Sequence, residues 1–307
     1  MRRRTIGAFC AALMLLAGGS AAAKSEMVSE PELPVVIDRS ADASAWPDFS
    51  FSEDAQLLEI WMPDIRDADA AILTYGGEVW MIDCGDVRAA KRLVILMRQL
   101  GIERVDRLFN SHPHHDHLNG LEMTADTAEI GELLICFPEN ATEHMKQAMT
   151  VCADRGIPVT AYEDGDTFAM GDGAVTLQIR QETQAGLSMN DMSALTMVRY
   201  GERSMLFTAD VEKPGQRALL ADTDAADLRA DILKYPHHGK LTLEDAFLAA
   251  VSPELVVITN YRQFGESYPY LTNKKIPIVY TNRDKIFLHL ATDGRHWLCE
   301  YVPITTR

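Results

Sequence analysis

The sequence predicts an α/β protein in which two β-sheets pack face to face with helices on their outer surfaces, a four-layer αβ/βα sandwich. Three observations carry this expectation. Strand-like segments follow one another closely from Leu57 to Ile82, strand-like and helix-like segments then alternate twice along the chain, and each helical segment has one apolar face. No linker rich in Ser, Gly or Pro divides the chain, so we expect one domain over 56–303, preceded by an extended lead-in over 24–55.

The N-terminus comes first. Arg2 to Arg4 form a basic cluster, Ile6 to Ala17 an apolar run, and Ser20 to Ala23 a stretch of small residues. The run is shorter than the roughly 20 residues that span a bilayer, so residues 1–23 are expected to be a secretory signal cut near Ala23. The mature chain would then be periplasmic or extracellular, with no transmembrane segment. Net charge is −16, and loss of three arginines with the signal makes the remainder more acidic. Such a surface repels polyanions, which disfavours tight non-specific binding to nucleic acid. Cys84, Cys136, Cys152 and Cys299 would allow two disulfides outside the cytoplasm, in any of three pairings.

Leu57 to Met62, Ala70 to Tyr75 and Glu78 to Ile82 read as strands, the last two joined through Gly76-Gly77. Val87 to Leu100 has apolar residues at helical spacing and stops at Gly101. A short strand over Arg104 to Asn110 follows. Beyond it we expect a strand at Glu132 to Phe137, a helix at Thr142 to Asp154 with Met145, Met149 and Cys152 on its core face, and a strand at Ile157 to Ala161. Gly165 to Asp172 reads as a hairpin, and so do Ser193 to Arg199 with Ser204 to Phe207. Asp231 to Tyr235 is a strand, Thr242 with Asp245 should cap a helix running to Val251, and Leu255 to Thr259 is a buried strand. Ile276 to Tyr280, Ile286 to Leu290 and His296 to Tyr301 complete the sheets.

The stretch that carries chemistry is Ser111-His112-Pro113-His114-His115-Asp116-His117-Leu118-Asn119-Gly120, just past a strand. His112, His114, Asp116 and His117 form H-x-H-x-D-H, and imidazole nitrogens with a carboxylate oxygen are ligands that zinc and similar divalent ions accept. A loop can aim these side chains at two points, which one helix face could not do at this spacing. His115 is expected to support a ligand or face solvent. Two further pieces also end strands: Asp210, after Leu206-Phe207-Thr208-Ala209, and His237-His238, within Pro236-His237-His238-Gly239-Lys240.

The decad resembles the metal-binding motif of the metallo-β-lactamase superfamily. Asp64 to Leu73 is similar to the D-V-G-Q-G-D-a-i-l opening of the hydrolase domain in ComEC-type competence proteins, although Arg66, Asp67 and Ala68 stand where that pattern has Gly, Gln and Gly. Gly165 to Asp172 resembles the G-d-x-f-x-l-G-d hairpin of the same branch, and Leu206 to Asp210 its L-F-T-G-D strand end, with Ala209 for glycine. The resemblance implies the αβ/βα fold and two divalent ions, expected to be zinc with manganese as the alternative. His112 and His114 would hold the first metal, Asp116 and His117 the second, and Asp210 would bridge. One of His237 and His238 would complete the second, and we favour His238, with His237 as a supporting group or proton donor. Other branches place a further histidine on the first metal, but no histidine lies between His144 and His237. In its place, Asn190 and Ser193 resemble an N-x-x-S segment expected to contact substrate.

Two ions roughly 3.5 to 4 Å apart can activate a bridging water and clamp the oxygen under attack. This makes hydrolysis by a metal-bridging hydroxide, with Asp116 and His237 as the catalytic pair, the expected chemistry, and it leaves Cys84 structural. A phosphodiester, small-molecule or larger, is the leading substrate class, and Lys240 would contact its phosphate. Lys234, Lys240, Arg262, Lys274, Lys275 and Arg283 would form an anion-binding wall or else be scattered solubilising charge. Hydrolysis of a lactam, lactone or thioester, or metal binding without catalysis, are the competing expectations. Gln216, where relatives carry an acid, has no mechanistic explanation from sequence.

Overall fold

The computed structural model describes residues 34–40, 49–283 and 285–305. The expected signal segment and the start of the lead-in lie outside the described residues. Within the lead-in, β1 (Val36–Asp38) is more than extended chain, because it adds to a sheet edge. The first half continues with β2 (Leu58–Met62), β3 (Ala70–Tyr75), β4 (Glu78–Cys84), α1 (Val87–Leu100), β5 (Arg104–Val105), β6 (Arg107–Asn110), α2 (His115–Leu118), α3 (Leu121–Ala125), β7 (Glu129–Ile130), β8 (Leu133–Ile135), α4 (Glu143–Arg155) and β9 (Val159–Ala161). The second comprises β10 (Thr167–Met170), β11 (Val175–Arg180), β12 (Leu195–Tyr200), β13 (Arg203–Phe207), α5 (Lys213–Asp222), α6 (Ala225–Leu228), β14 (Ile232–Lys234), α7 (Asp245–Val251), β15 (Leu255–Ile258), α8 (Ser267–Asn273), β16 (Ile278–Tyr280), β17 (Ile286–Thr292) and β18 (Trp297–Pro303).

Among the described residues, nine strands form one large sheet in the order β1-β18-β17-β2-β3-β4-β6-β8-β9, seven form a second in the order β10 to β16, and β5 pairs with β7 in a separate two-stranded ribbon. Each sheet joins an antiparallel part to a parallel one: β2-β3-β4 leads to β6-β8-β9, and β10 through β13 leads to β14-β15-β16. Parallel neighbours need crossovers, and helices supply them on the outer faces. The C-terminal ends of β6, β13 and β14 carry the site loops, so the topology puts them at a common rim.

The burial pattern shows why the layers form. Leu58, Ile60, Met62, Leu73 and Phe109 of the first sheet meet Leu177, Ile179, Val198, Met205 and Val257 of the second in the inter-sheet core. Leu93, Met97 and Met145 of α1 and α4 cover the outer face of the first sheet, and Leu219, Phe247 and Leu271 of α5, α7 and α8 that of the second. This is the predicted four-layer sandwich. α1 starts where Asp86 accepts from the Arg88 and Ala89 amides at 2.8 and 2.7 Å, and it stops at Gly101, whose φ of 69° is left-handed.

Several expectations are corrected. Gly165 to Asp172 supplies only one arm and the turn of its hairpin. The other arm is β11, whose Val-x-Leu-x-Ile alternation is a period-two signal that the sequence reading left unassigned. α5 and α8 likewise lie outside the expected elements. Thr242 does not cap α7; the N-cap is Glu244, whose amide donates to Gln216 Oε1 at 2.8 Å. Gln216 also donates to the Val211 carbonyl at 3.0 Å and is buried, so its role is to bolt α5 to the start of α7. All four cysteines of the described chain are free thiols rather than disulfides. Among the described residues no helix is long and apolar enough to cross a membrane.

Candidate metal centre

His112, His114, Asp116 and His117 leave the end of β6, but not all of them on an open loop as expected. His115 to Leu118 close into the single helical turn α2, so His112, in a bend, and His114, on extended backbone, precede it while Asp116 and His117 lie on the turn itself. The turn packs tightly because a Cβ at Gly120 would collide with the Cys84 carbonyl. Thr142, the N-cap of α4, donates to the Pro113 carbonyl at 2.9 Å and ties that helix to the loop.

From the other sheet come Asp210, after β13, and His237-His238, after β14. Ala209, His237 and His238 have φ of 42°, 49° and 53°, a left-handed backbone that L-residues adopt at a cost of about 1 to 2 kcal/mol each. The surrounding bonds hold it: the His237 amide donates to the Ala209 carbonyl at 3.0 Å, and the Asn260 amide group to the His238 carbonyl at 3.4 Å. The glycine usual in the L-F-T-G-D pattern therefore meets a real steric demand that Ala209 bears here. Strain concentrated at one rim is what functional sites show.

One ligand atom each from Asp116, His117, Asp210 and His238 lie within 4.8 Å of one another, and all four residues are buried. His117 Nε2 is 3.2 Å from Asp210 Oδ1, and His238 Nε2 is 3.3 Å from Asp116 Oδ2 and 3.5 Å from Asp210 Oδ1. Yet His117 Nε2 and Asp210 Oδ1 have no hydrogen-bond partner despite full burial. Buried polar atoms left unpaired call for an explanation, and imidazole with carboxylate donors aimed at one point fit a divalent cation. His112 and His114 sit beside this cluster. Their Nε2 and Nδ1 are 3.0 Å apart, and His112 Nε2 is 3.9 Å from Asp210 Oδ2.

The imidazoles are held from behind. Asp83 Oδ2 lies 2.7 Å from His117 Nδ1 and also accepts from the Ser111 hydroxyl at 2.7 Å. Asp69 Oδ1 lies 3.1 Å from His238 Nδ1 and accepts from Thr259 at 2.7 Å, while its other oxygen takes the buried Lys234 ammonium. Carboxylates behind ligand imidazoles fix the ring and its tautomer. Neither Asp69 nor Asp83 was singled out from sequence, nor were Thr259 and Glu212. Asp83 had the available signal of a carboxylate ending a strand, and Asp69 that of the second aspartate of the opening segment.

Charge follows the geometry. Burial pulls the His117 pKa down, but Asp210 and Asp83 push it further, to well above the usual histidine value; His238 is likewise raised, against burial, by Asp210 and Asp69. His112 is lowered well below it by burial and by His117, and His114 is lowered mainly by burial. Burial raises the Asp210 carboxyl, but His238, His117 and His112 together hold it well below the ordinary range.

His237 stands off the cluster, with Nε2 3.8 Å from Asp210 Oδ2 and Nδ1 2.8 Å from Glu212 Oε1. Asn190 donates to the same Glu212 oxygen at 3.2 Å, leaving its own Oδ1 buried and unpaired, as is Ser193 Oγ. His115 points out, its side chain 58% exposed. Cys84 is buried and donates to the His117 and Leu118 carbonyls at 3.5 and 3.4 Å, a structural placement. The expected cationic wall separates. Lys234 is buried against Asp69, Lys240 pairs with Asp67 at 3.0 Å, and Lys274 pairs with Asp245 at 2.8 Å. Lys234 ends a strand facing the inter-sheet core, where an ammonium is tolerated only with its carboxylate.

A two-sheet sandwich with histidine and aspartate donors gathered at the strand ends defines a metal-centred hydrolase-type scaffold. Residues 64–258 match the model of the Metallo-beta-lactamase superfamily, and the chain belongs to that superfamily. It is 24% identical over 202 residues to ComE operon protein 3 of Bacillus subtilis (strain 168), covering 64% of this chain and 25% of that protein. To Competence protein ComA of Neisseria gonorrhoeae it is 26% identical over 182 residues, 59% of this chain and 24% of that one. The chain thus spans about a quarter of the length of these relatives, and they support the competence-protein branch. Among solved structures it is similar to the metallo-beta-lactamase fold protein YhfI from Bacillus subtilis, with a TM-score of 0.50 and 13% identity over 73% of this chain and 95% of that one.

Proposed function

We propose that this chain is an exported, metal-dependent hydrolase of phosphodiesters. The observation that carries the reading is the buried set Asp116, His117, Asp210 and His238, whose donor atoms converge within 4.8 Å, with His117 Nε2 and Asp210 Oδ1 facing each other outside hydrogen-bond geometry among the described residues. These four would hold one divalent ion, and His112 and His114 with Asp210 a second; zinc is the expected metal and manganese the alternative. Such ions supply Lewis acidity, polarising a phosphoryl oxygen and bringing the pKa of a water toward neutrality.

The chain's own groups do the rest. Asp116 receives the proton of the attacking water. His237, its Nδ1 2.8 Å from Glu212 Oε1, donates at Nε2 to the leaving oxygen from its doubly protonated form, which burial disfavours, while Ser193 Oγ can donate to a phosphate oxygen and Asn190 Oδ1 can accept from a substrate hydroxyl. Lys240 reaches a phosphate oxygen only by exchanging its Asp67 partner for it. The similarity to competence proteins supports the phosphodiester over a lactam, lactone or thioester. The basic and apolar N-terminal segment, residues 1–23, supports export to the periplasm or beyond.

The test is a panel of phosphodiester, phosphomonoester, lactam and thioester substrates offered to the metal-loaded protein. Phosphodiester turnover, absent in His117→Ala and Asp210→Ala but kept in Lys146→Ala on the exposed face of α4, is the expected result. Turnover confined to the lactam or thioester, or bound metal with no turnover at all, overturns the reading.

A further inference from the structure

Three cations of the expected wall remain once Lys234, Lys240 and Lys274 are assigned to their carboxylates: Arg262, Lys275 and Arg283. They line one cavity of about 660 Å³, together with Tyr268, Tyr280 and Tyr301. That volume is of the size that holds a small-molecule ligand. None of the three cations has a carboxylate within ion-pair distance among the described residues, although the protein as a whole is strongly acidic. Arg283 lies 4.4 Å over the Tyr301 ring and reaches the Ser40 carbonyl at 3.4 Å; the one acid in the lining, Asp38, accepts from the Ser40 amide at 2.8 Å. The Tyr301 hydroxyl is spent on the Tyr280 backbone, at 3.1 Å to its amide and 2.9 Å to its carbonyl. The Tyr280 hydroxyl is buried and unpaired. Three cations without a carboxylate partner among the described residues, set between aromatic walls, make an anion site rather than solubilising charge.

Two of its three cations stand on loops that leave the rim of the metal centre, while Lys275 to Ile278 line the cavity at the start of β16. Arg262 follows Asn260, whose amide group donates to the His238 carbonyl, and Arg283 follows Asn282, whose backbone amide donates to the Asn260 carbonyl at 3.1 Å. Both loops leave the C-terminal ends of neighbouring parallel strands, β15 and β16, at the same rim as the histidines.

We propose that this cavity is a second anion subsite, holding a further phosphate of a substrate that carries more than one, while the scissile phosphodiester lies at the metal centre. The inference rests on the phosphodiesterase reading and adds that the substrate is a chain of phosphates rather than an isolated diester. The experiment compares bis(p-nitrophenyl) phosphate, with a single phosphate, against a short oligothymidylate, on the metal-loaded protein and on Arg262→Ala/Arg283→Ala. Loss of these charge-assisted contacts should raise KM for the oligothymidylate about tenfold or more, leave its kcat unchanged, and leave bis(p-nitrophenyl) phosphate untouched; Arg262→Lys/Arg283→Lys should restore part of the loss. Equal KM for the oligothymidylate in parent and variant, with an unchanged melting temperature, overturns the subsite while leaving the hydrolase reading intact. Absence of turnover on both diesters fails the hydrolase reading, and the subsite then stands or falls on direct binding. Calorimetric titration with inorganic phosphate should show one binding event lost in the double alanine variant, and no difference between the two proteins overturns the proposal.

Discussion

The two candidate cation positions share Asp210 and little else. One is enclosed by Asp116, His117, Asp210 and His238, all buried and within 4.8 Å of one another, with Asp83 and Asp69 behind the two imidazoles. The other offers His112 and His114, whose ring nitrogens are 3.0 Å apart, and Asp210 at 3.9 Å from His112; His114 is only half-buried, and among the described residues no carboxylate stands behind either ring at the distance seen for His117. The difference teaches that a ligand motif in sequence counts donors but says nothing of how rigidly each is held. A site closed by four buried donors and backed by carboxylates should bind tightly and first; a site of three donors should bind weakly and last.

Asp210→Ala should have the largest effect, because it removes the one residue common to both positions: elemental analysis after dialysis should find no retained metal, and hydrolysis should vanish. Two retained ions in that variant would break the comparison outright. Next come single removals. His238→Ala should abolish the tightly held ion, whereas His112→Ala should abolish only the fraction that a mild chelator strips from the parent, so chelator titrations of the two variants should lose opposite phases. Behind the rings, Asp83→Asn should weaken metal affinity at the enclosed position by roughly 10- to 100-fold while leaving the open one unchanged; equal weakening at both would sink the distinction.

The smallest effect is protonic. In the metal-free chain His117 and His238 are raised above the ordinary histidine pKa, by Asp210 with Asp83 and by Asp210 with Asp69 against the opposing effect of burial, whereas burial lowers His112 and His114. The first pair therefore keeps its protons to higher pH than the second, and an incoming cation must displace them. Affinity at the enclosed position should rise with pH up to the raised values and flatten above them, and calorimetry in buffers of different ionisation enthalpy should show proton release mainly on filling that position. Release confined to the His112 and His114 position would reverse the argument.

Much of this was legible in the chain. The alternation of strand and helix segments predicted the layers, because period-two and period-3.6 patterns report which face of each element is buried. Val175 to Arg180 went unread between turn-rich stretches, and Lys213 to Asp222 begins with Lys-Pro-Gly, which hides a helix from propensity. The cationic cluster leaves two readings open in sequence, anion-binding wall or scattered charge, and the fold divides it between them. Lys234 sits one strand-end from His237 in sequence yet is buried beneath the site, and only the fold shows that its charge is already taken by Asp69, 165 residues earlier.

By itself the sequence determined the chemistry available to this protein: imidazoles and carboxylates at strand ends, spaced so that several can meet one cation, on a chain patterned for two packed sheets. Only the tertiary structure decided which of them meet, which are backed, and which cations remain free. Residue type and local spacing are encoded within a few positions, whereas ligand closure, burial and charge compensation depend on contacts between segments from 34 residues apart, as for Asp83 and His117, to 165 apart, as for Asp69 and Lys234.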